Sequence, residues 1–177
     1  TPMAMLSGID QATLEHAIAK TQALLEDGEM LSLAIEATRN RFVVSGPETA
    51  LELLKEGLSQ HQERLQKRRK AGQHGGSIPS FGWEQVPVNA AFHNPMLAPA
   101  MDEMKARCEE LAFDIKPLKL PVLCYDHVGV MSTQENVLEH LIHSQFVLPV
   151  KWSSTMLNVA RQHQAEFILD LGPGDGT

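Results

Sequence analysis

The sequence predicts an α/β protein that opens with a small α+β lobe. Short apolar runs bounded by glycine, proline and asparagine alternate with longer stretches whose leucines and alanines recur at helical spacing. Over residues 1–89 they come in the order β-α-β-β-α-β, which is the order of a ferredoxin-like lobe. Over residues 90–177 helical stretches dominate, with isolated apolar runs between them, as at the edge of a layered α/β structure.

Each element has its own warrant. The run 3–7 is short and apolar and stops at Gly8, so it reads as a buried strand. Asp10 can cap the next helix, where Leu14, Ala17, Ile18, Thr21 and Leu25 share a face and Gly28 is the expected stop. Residues 30–37 and 41–45 are strand candidates around the polar turn Thr38-Arg39-Asn40. Pro47 opens a second helix with Leu51, Leu54, Leu58 and Leu65 along one side. A loop rich in glycine, serine and proline covers 71–82, and 85–90 supplies the fourth strand. Asn94-Pro95 is a cap followed by a first helical position, for a helix carrying Leu97, Met101, Met104, Cys108 and Leu111. Residues 121–125 are expected as a strand, 134–142 and 153–164 as helices, and 167–171 as a last strand.

Composition narrows the function. The 177 residues are 43% hydrophobic and 21% charged, enough apolar material for a core. With 15 basic against 22 acidic side chains the net charge is -7, which argues against a duplex nucleic-acid binder. Two cysteines make no disulfide framework and fit a reducing compartment. No apolar run approaches the ~20 residues of a membrane span, and the N-terminus lacks signal-peptide character. The expectation is a soluble, cytoplasmic protein with neither nucleic acid nor membrane as partner. The chain begins Thr1-Pro2-Met3 and stops in Leu171-Gly172-Pro173-Gly174-Asp175-Gly176-Thr177, a glycine-rich turn after a strand-like run. Such turns lead into a further element, so a segment of a larger protein is expected.

A serine hydrolase elbow needs G-x-S-x-G at a strand-to-helix turn. No serine here has both flanking glycines. Gly57-Leu58-Ser59-Gln60-His61 falls within a helix pattern, and His143-Ser144-Gln145 lacks both glycines. The nucleophile is therefore expected outside this chain. Of eight histidines, His16, His61, His74 and His163 lie in polar contexts. Glu135, Glu139 and His143 recur every four residues beside His140, a pattern that reads as a polar helix face, and no metal is expected. His93 is different: it follows Ala90-Ala91-Phe92 and precedes a helix start, a junction where side chains reach a ligand crevice.

Four strings then agree in order and spacing: Val43-Val44-Ser45-Gly46-Pro47, Ala91-Phe92-His93-Asn94-Pro95, Leu148-Pro149-Val150-Lys151-Trp152 and Ile168-Leu169-Asp170-Leu171-Gly172-Pro173-Gly174. Together they resemble the second half of an acyl-CoA:acyl-carrier-protein transacylase domain, of the acetyltransferase type found in type I fatty acid synthases. The resemblance implies a ferredoxin-like small subdomain over residues 1–89, inserted in an α/β-hydrolase-like large subdomain whose returning part covers residues 90–177. The serine elbow, an oxyanion-hole donor and the carboxylate-binding arginine of malonyl-specific members would lie upstream. The family's catalytic histidine falls on His93, as general base and acid, with its ring oriented by the backbone carbonyl of Gln145. Phe92 falls where an aromatic narrows the acyl pocket, although core packing is an equal reading of that residue.

The implied reaction is ping-pong acyl transfer by a serine and a histidine. Acyl-CoA is the substrate, the acceptor is the phosphopantetheine thiol of an acyl carrier protein, and no cofactor is bound by this chain. The remaining segments of a multidomain synthase would be further partners. Two places depart from the family pattern: the stretch Ala34-Ile35-Glu36-Ala37-Thr38, with its acidic Glu36, stands where asparagine with glycine or proline is usual, and Asn94 where serine commonly follows the histidine. With Phe92 closing the pocket and Glu36 repelling a carboxylate, acetyl is expected over malonyl. The basic cluster Arg64, Lys67, Arg68, Arg69 and Lys70 could meet an acidic carrier protein or coenzyme A phosphates, or be a solvated helix end. Two other functions fit the same elements, a polyketide-type acyltransferase and a non-catalytic ferredoxin-like binding module.

Overall fold

The computed structural model describes residues 1–73, 75, 78, 80–111, 120, 122–126, 137–162, 166, 167 and 169. Strand β1 (Met3–Ser7) leads to helix α1 (Gln11–Gln22), then strands β2 (Ser32–Thr38) and β3 (Arg41–Ser45), helix α2 (Glu48–Lys70) and strand β4 (Gly82–Gln85). The four strands form one sheet in the order β2-β3-β1-β4, and every neighbouring pair is antiparallel. This is the ferredoxin-like arrangement that the element order predicts.

Local chemistry sets most boundaries. Asp10 caps α1, its carboxylate accepting from the Thr13 N–H at 2.9 Å and the Thr13 hydroxyl at 2.7 Å. Those bonds hold the Asp10 carboxyl below the usual carboxylate range. Gly8 has φ 78, and a Cβ there would collide with the Ser80 carbonyl oxygen, so this tight passage requires glycine. Helix α1 stops at Gln22 rather than near Gly28, because Leu24 N–H tightens onto the Thr21 carbonyl at 2.9 Å. Gly28 instead supplies the positive φ of the following turn.

Strand β4 spans Gly82–Gln85, where 85–90 was expected. Proline at 87 has no N–H to give a ladder, so regular pairing with β1 ends at Gln85 opposite Ala4. The last β1 bond in this direction runs from Val86 N–H to the Met3 carbonyl at 3.0 Å.

The sheet buries both faces. Period-two alternation sends Ala4, Leu6, Phe42 and Val44 toward α1 and α2, where Leu14, Leu51, Leu54 and Leu58 complete the main core. Met3, Val43 and Ala34 point the other way and are covered by Val86, Val88 and Phe92. Helix α2 is packed only along its first half, since Ala50, Leu51, Leu54 and Leu58 are its buried residues. Its basic end, Arg64 to Lys70, projects as an exposed helix terminus.

The second half lies against the β2 edge. After a short 3-10 turn at Pro95–Leu97 come α3 (Ala98–Glu110), α4 (Val137–Phe146) and α5 (Trp152–Gln162). Val150 forms a parallel bridge with Ile35, with Val150 N–H donating to Ala34 and Glu36 N–H donating to Val150, both at 2.8 Å. Two register irregularities in the β2–β3 ladder accompany this edge contact. Of the strand expected over 121–125, Leu123 makes a single bridge, and residue 121 lies outside the described residues. The same holds for the start of the 134–142 helix, for His74 and His163, and for most of the 167–171 strand. Among the described residues no helix is long and apolar enough to cross a membrane.

Leu54 is fully buried between α2 and the sheet. Leu54→Ala is expected to cost about 2–5 kcal/mol, seen as a lower denaturant midpoint with an unchanged slope. Lys67→Ala, on the projecting helix end, is expected to change stability by less than about 0.5 kcal/mol.

Candidate active site

His93 stands where the chain leaves the second sheet face. It is 8% exposed and is the non-glycine residue with positive φ, at 57°, among the described residues. Histidine in the left-handed region is uncommon and persists only where surrounding contacts determine it.

Those contacts come from the end of α4. A helix leaves the carbonyls of its last turn without intrahelical partners. In α4 the His143 oxygen receives Val147 N–H at 2.9 Å and Leu148 N–H at 3.1 Å, and the Phe146 oxygen receives Asn94 N–H at 3.0 Å. The Ser144 oxygen faces His93 Nδ1 at 3.1 Å, and the Leu148 oxygen faces the same nitrogen at 2.9 Å. Carbonyl oxygens only accept, so Nδ1 must carry the proton and donate to them. In the neutral ring this fixes the tautomer in which Nε2 keeps its lone pair, the state a general base needs.

Gln145, expected to supply the orienting carbonyl, lies between the two residues that do. The helix length decides which oxygens are left over, and with α4 ending at Phe146 it is Ser144 and Leu148 that converge on the ring. Tyr125 meets the His93 ring edge-on, with centroids 6.4 Å apart at 85°. The Tyr125 carbonyl accepts from Lys151 N–H at 2.7 Å, which ties this segment to Leu148-Pro149-Val150-Lys151-Trp152.

Asn94 is 0% exposed and fully engaged. Its Oδ1 accepts from Met96 N–H at 2.9 Å and so caps the Pro95–Leu97 turn. Its amide nitrogen donates to the Met30 carbonyl at 3.0 Å and the Ser45 carbonyl at 3.1 Å. Gly46 permits this approach: a Cβ there would lie 2.7 Å from the Met30 oxygen.

The remaining candidates separate. Phe92 lies in the second-face apolar cluster and meets Phe146 at a centroid distance of 6.1 Å. Glu36 is held by α5, its carboxylate oxygens accepting from Ser154 Oγ at 3.0 and 3.2 Å, which sets a negative charge beside a helix N-terminus. Glu139 pairs with Lys105 at 4.0 Å. His140 turns instead to Asp126, at 3.5 Å. With Cys124 these two bring ligand atoms within 4.8 Å of one another, the donor set among the described residues that could hold a cation. Burial, and after it the charge of Asp126, pushes the Cys124 thiol up from its ordinary value, so it stays protonated and unreactive near neutrality. Cys124 and Asp126 share a two-residue spacing visible in sequence, but nothing in the sequence joins them to His140.

The family model described as fatty acid synthase central AT domain matches residues 2–84. The fatty acid synthase subunit beta of Saccharomyces cerevisiae is 26% identical, over 98% of this chain and 8% of its own length. That of Schizosaccharomyces pombe is 29% identical, over 76% of this chain and 6% of its own. Among solved structures, the MCAT of Streptococcus pneumoniae superposes with a TM-score of 0.68 at 20% identity, covering 97% of this chain and 48% of that one. A type II polyketide synthase acyl-carrier protein in complex with its malonyl-transacylase gives 0.63 at 18%, covering 91% of this chain and 44% of that one. The chain thus spans under a tenth of its curated relatives and under half of these solved chains, and the structural likeness carries the fold. Family model, curated relatives and fold agree with the four strings read above: the chain is similar in sequence to fatty acid synthase acyltransferase domains and shares the fold of solved transacylases.

Proposed function

We propose that this segment supplies the histidine base of a serine–histidine transacylase that moves an acyl group from coenzyme A to an acyl carrier protein. The observation that carries the reading is the His93 ring, with Nδ1 clamped by two carbonyls and Nε2 left as the proton acceptor. A serine from outside the 177 residues gives its proton to Nε2 as its oxygen attacks the thioester carbon. The tetrahedral intermediate collapses, the C–S bond breaks, and the imidazolium returns the proton to the departing coenzyme A thiolate. In the second half-reaction Nε2 takes the proton of the phosphopantetheine thiol as its sulfur attacks the acyl-serine ester, and the serine oxygen leaves with that proton. The carbonyl pair does here what a carboxylate does in a triad, holding the ring in one tautomer and orientation.

The carrier-protein partner is supported by the transacylase of the same fold solved with its carrier protein. The parent is read as a cytoplasmic multifunctional enzyme, in keeping with its synthase relatives. Residues 1–89 act as the small subdomain and 90–177 as the returning part of the large one, with the site at their seam. No residue needed for the two half-reactions requires a metal or a resident cofactor.

Acetyl is the proposed preferred group. Phe92, packed against Phe146, presents a fixed apolar wall one residue from the base. A malonyl carboxylate buried there without a cation would cost several kcal/mol. Glu36, engaged by Ser154, adds no cation to that region.

The 177-residue chain alone should transfer no label from radioactive acetyl-CoA to carrier protein; transfer above the uncatalysed rate would place a nucleophile within it. In the parent enzyme, His93→Ala should lower turnover by about 10²–10⁴-fold, and near-native turnover would remove His93 from the mechanism. With equal acetyl-CoA and malonyl-CoA, the parent should load acetyl first, and Phe92→Ala should widen acceptance toward longer acyl chains. Preferential malonyl loading by the unaltered enzyme would overturn the acetyl assignment.

A further inference from the structure

We propose that Asn94 is the positioning residue of the site, a latch that holds His93 in its left-handed conformation by joining the two lobes through one side chain. A helix cap needs only an oxygen acceptor, and Asn94 Oδ1 fills that role toward Met96. The amide nitrogen does something a cap does not require. It donates to carbonyls 64 and 49 residues earlier in the chain, on the residue before Leu31 and at the end of β3. Both of its protons are thereby used, and the backbone N–H of the same residue donates to Phe146 at the end of α4.

The residue next to the base is thus fixed at four places, one in its own turn and three on separate, distant stretches of chain. With its successor immobile and its ring bound to Ser144 and Leu148, His93 has no freedom to relax its φ of 57°. Gly46 fits the same reading, since only a residue without a side chain leaves the Met30 oxygen accessible to the amide. A serine at this position would cap the turn and reach one of the two carbonyls. An aspartate would keep the cap and lose both donors.

The inference rests on the proposed role of His93, and its test uses the intact parent enzyme. Asn94→Ala should lower kcat on the order of 10²-fold, the effect of an ångström-scale displacement of a reacting group, with little change in KM for acyl-CoA. Asn94→Ser should recover most of that loss, and Asn94→Asp should recover none. Leu54→Ala serves as the control for destabilisation alone, and should leave kcat near native in the folded enzyme. Near-native kcat in Asn94→Ala or in Asn94→Asp overturns the latch. If Asn94→Ala does not accumulate as folded protein, the Ser and Asp variants decide: equal kcat in the two overturns it, and a large gap supports it. A His93→Ala enzyme of near-native turnover takes down both readings, whereas a dead His93→Ala beside an active Asn94→Ala takes down the latch alone.

Discussion

A helix that ends inside a protein leaves carbonyl oxygens with nothing to bind, and the end of α4 is built around that constraint. The oxygens of its last turn cannot be left dry without a cost of about 1–3 kcal/mol each. Water does not take them all up here. Ser144 receives the His93 ring and Phe146 receives the Asn94 N–H. The two consecutive residues just before the Pro95–Leu97 turn, His93 and Asn94, are therefore seated by the polar end of α4. Satisfying the helix and orienting the imidazole are one event.

The small lobe contributes through the face of its sheet that α1 and α2 do not cover. A four-stranded sheet with helices on one side leaves its other side to solvent unless further chain arrives. Here Met3, Ala34 and Val43 are buried because Val86, Val88 and Phe92 pass over them. The chain thus reaches His93 along an apolar track, and the ring emerges at its end. The β2 edge is closed as well, by the Val150 bridge and by Ser154 on Glu36. The second half thus meets the β2 edge, while the chain leading to His93 covers the open sheet face.

Much of this was legible in the sequence, for reasons that differ by element. Strands β1 and β3, the Asp10 cap and the Asn94-Pro95 start depend on neighbours within a few residues, so composition and spacing locate them. The shift of β4 also has a local cause in Pro87, but the pairing partner of Gln85 is set by β1, far away in the chain. The orienting carbonyls were placed at Gln145 by resemblance, and only the observed end of α4 assigns them to Ser144 and Leu148. The sequence alone suggests a pocket charge at Glu36. Its hydroxyl partner is 118 residues away, and no periodicity or motif connects the two. What was missed in each case is a long-range polar contact, and such contacts leave no pattern in a single chain.

The substitution of neutral carbonyls for a carboxylate has a consequence for the proposed chemistry. A buried aspartate beside the ring carries its charge throughout the cycle, and whenever the imidazole is neutral that charge needs other partners. Carbonyl oxygens carry only partial charge and are already tethered by the backbone, so they require no such compensation. Yet the end of a helix is the negative pole of its dipole, and it faces the ring at the moment the second proton arrives. In the proposed reaction the arrangement would stabilise the imidazolium of each half-reaction without burying an ion between them. That suits a base that must accept a proton from two successive nucleophiles and release it each time.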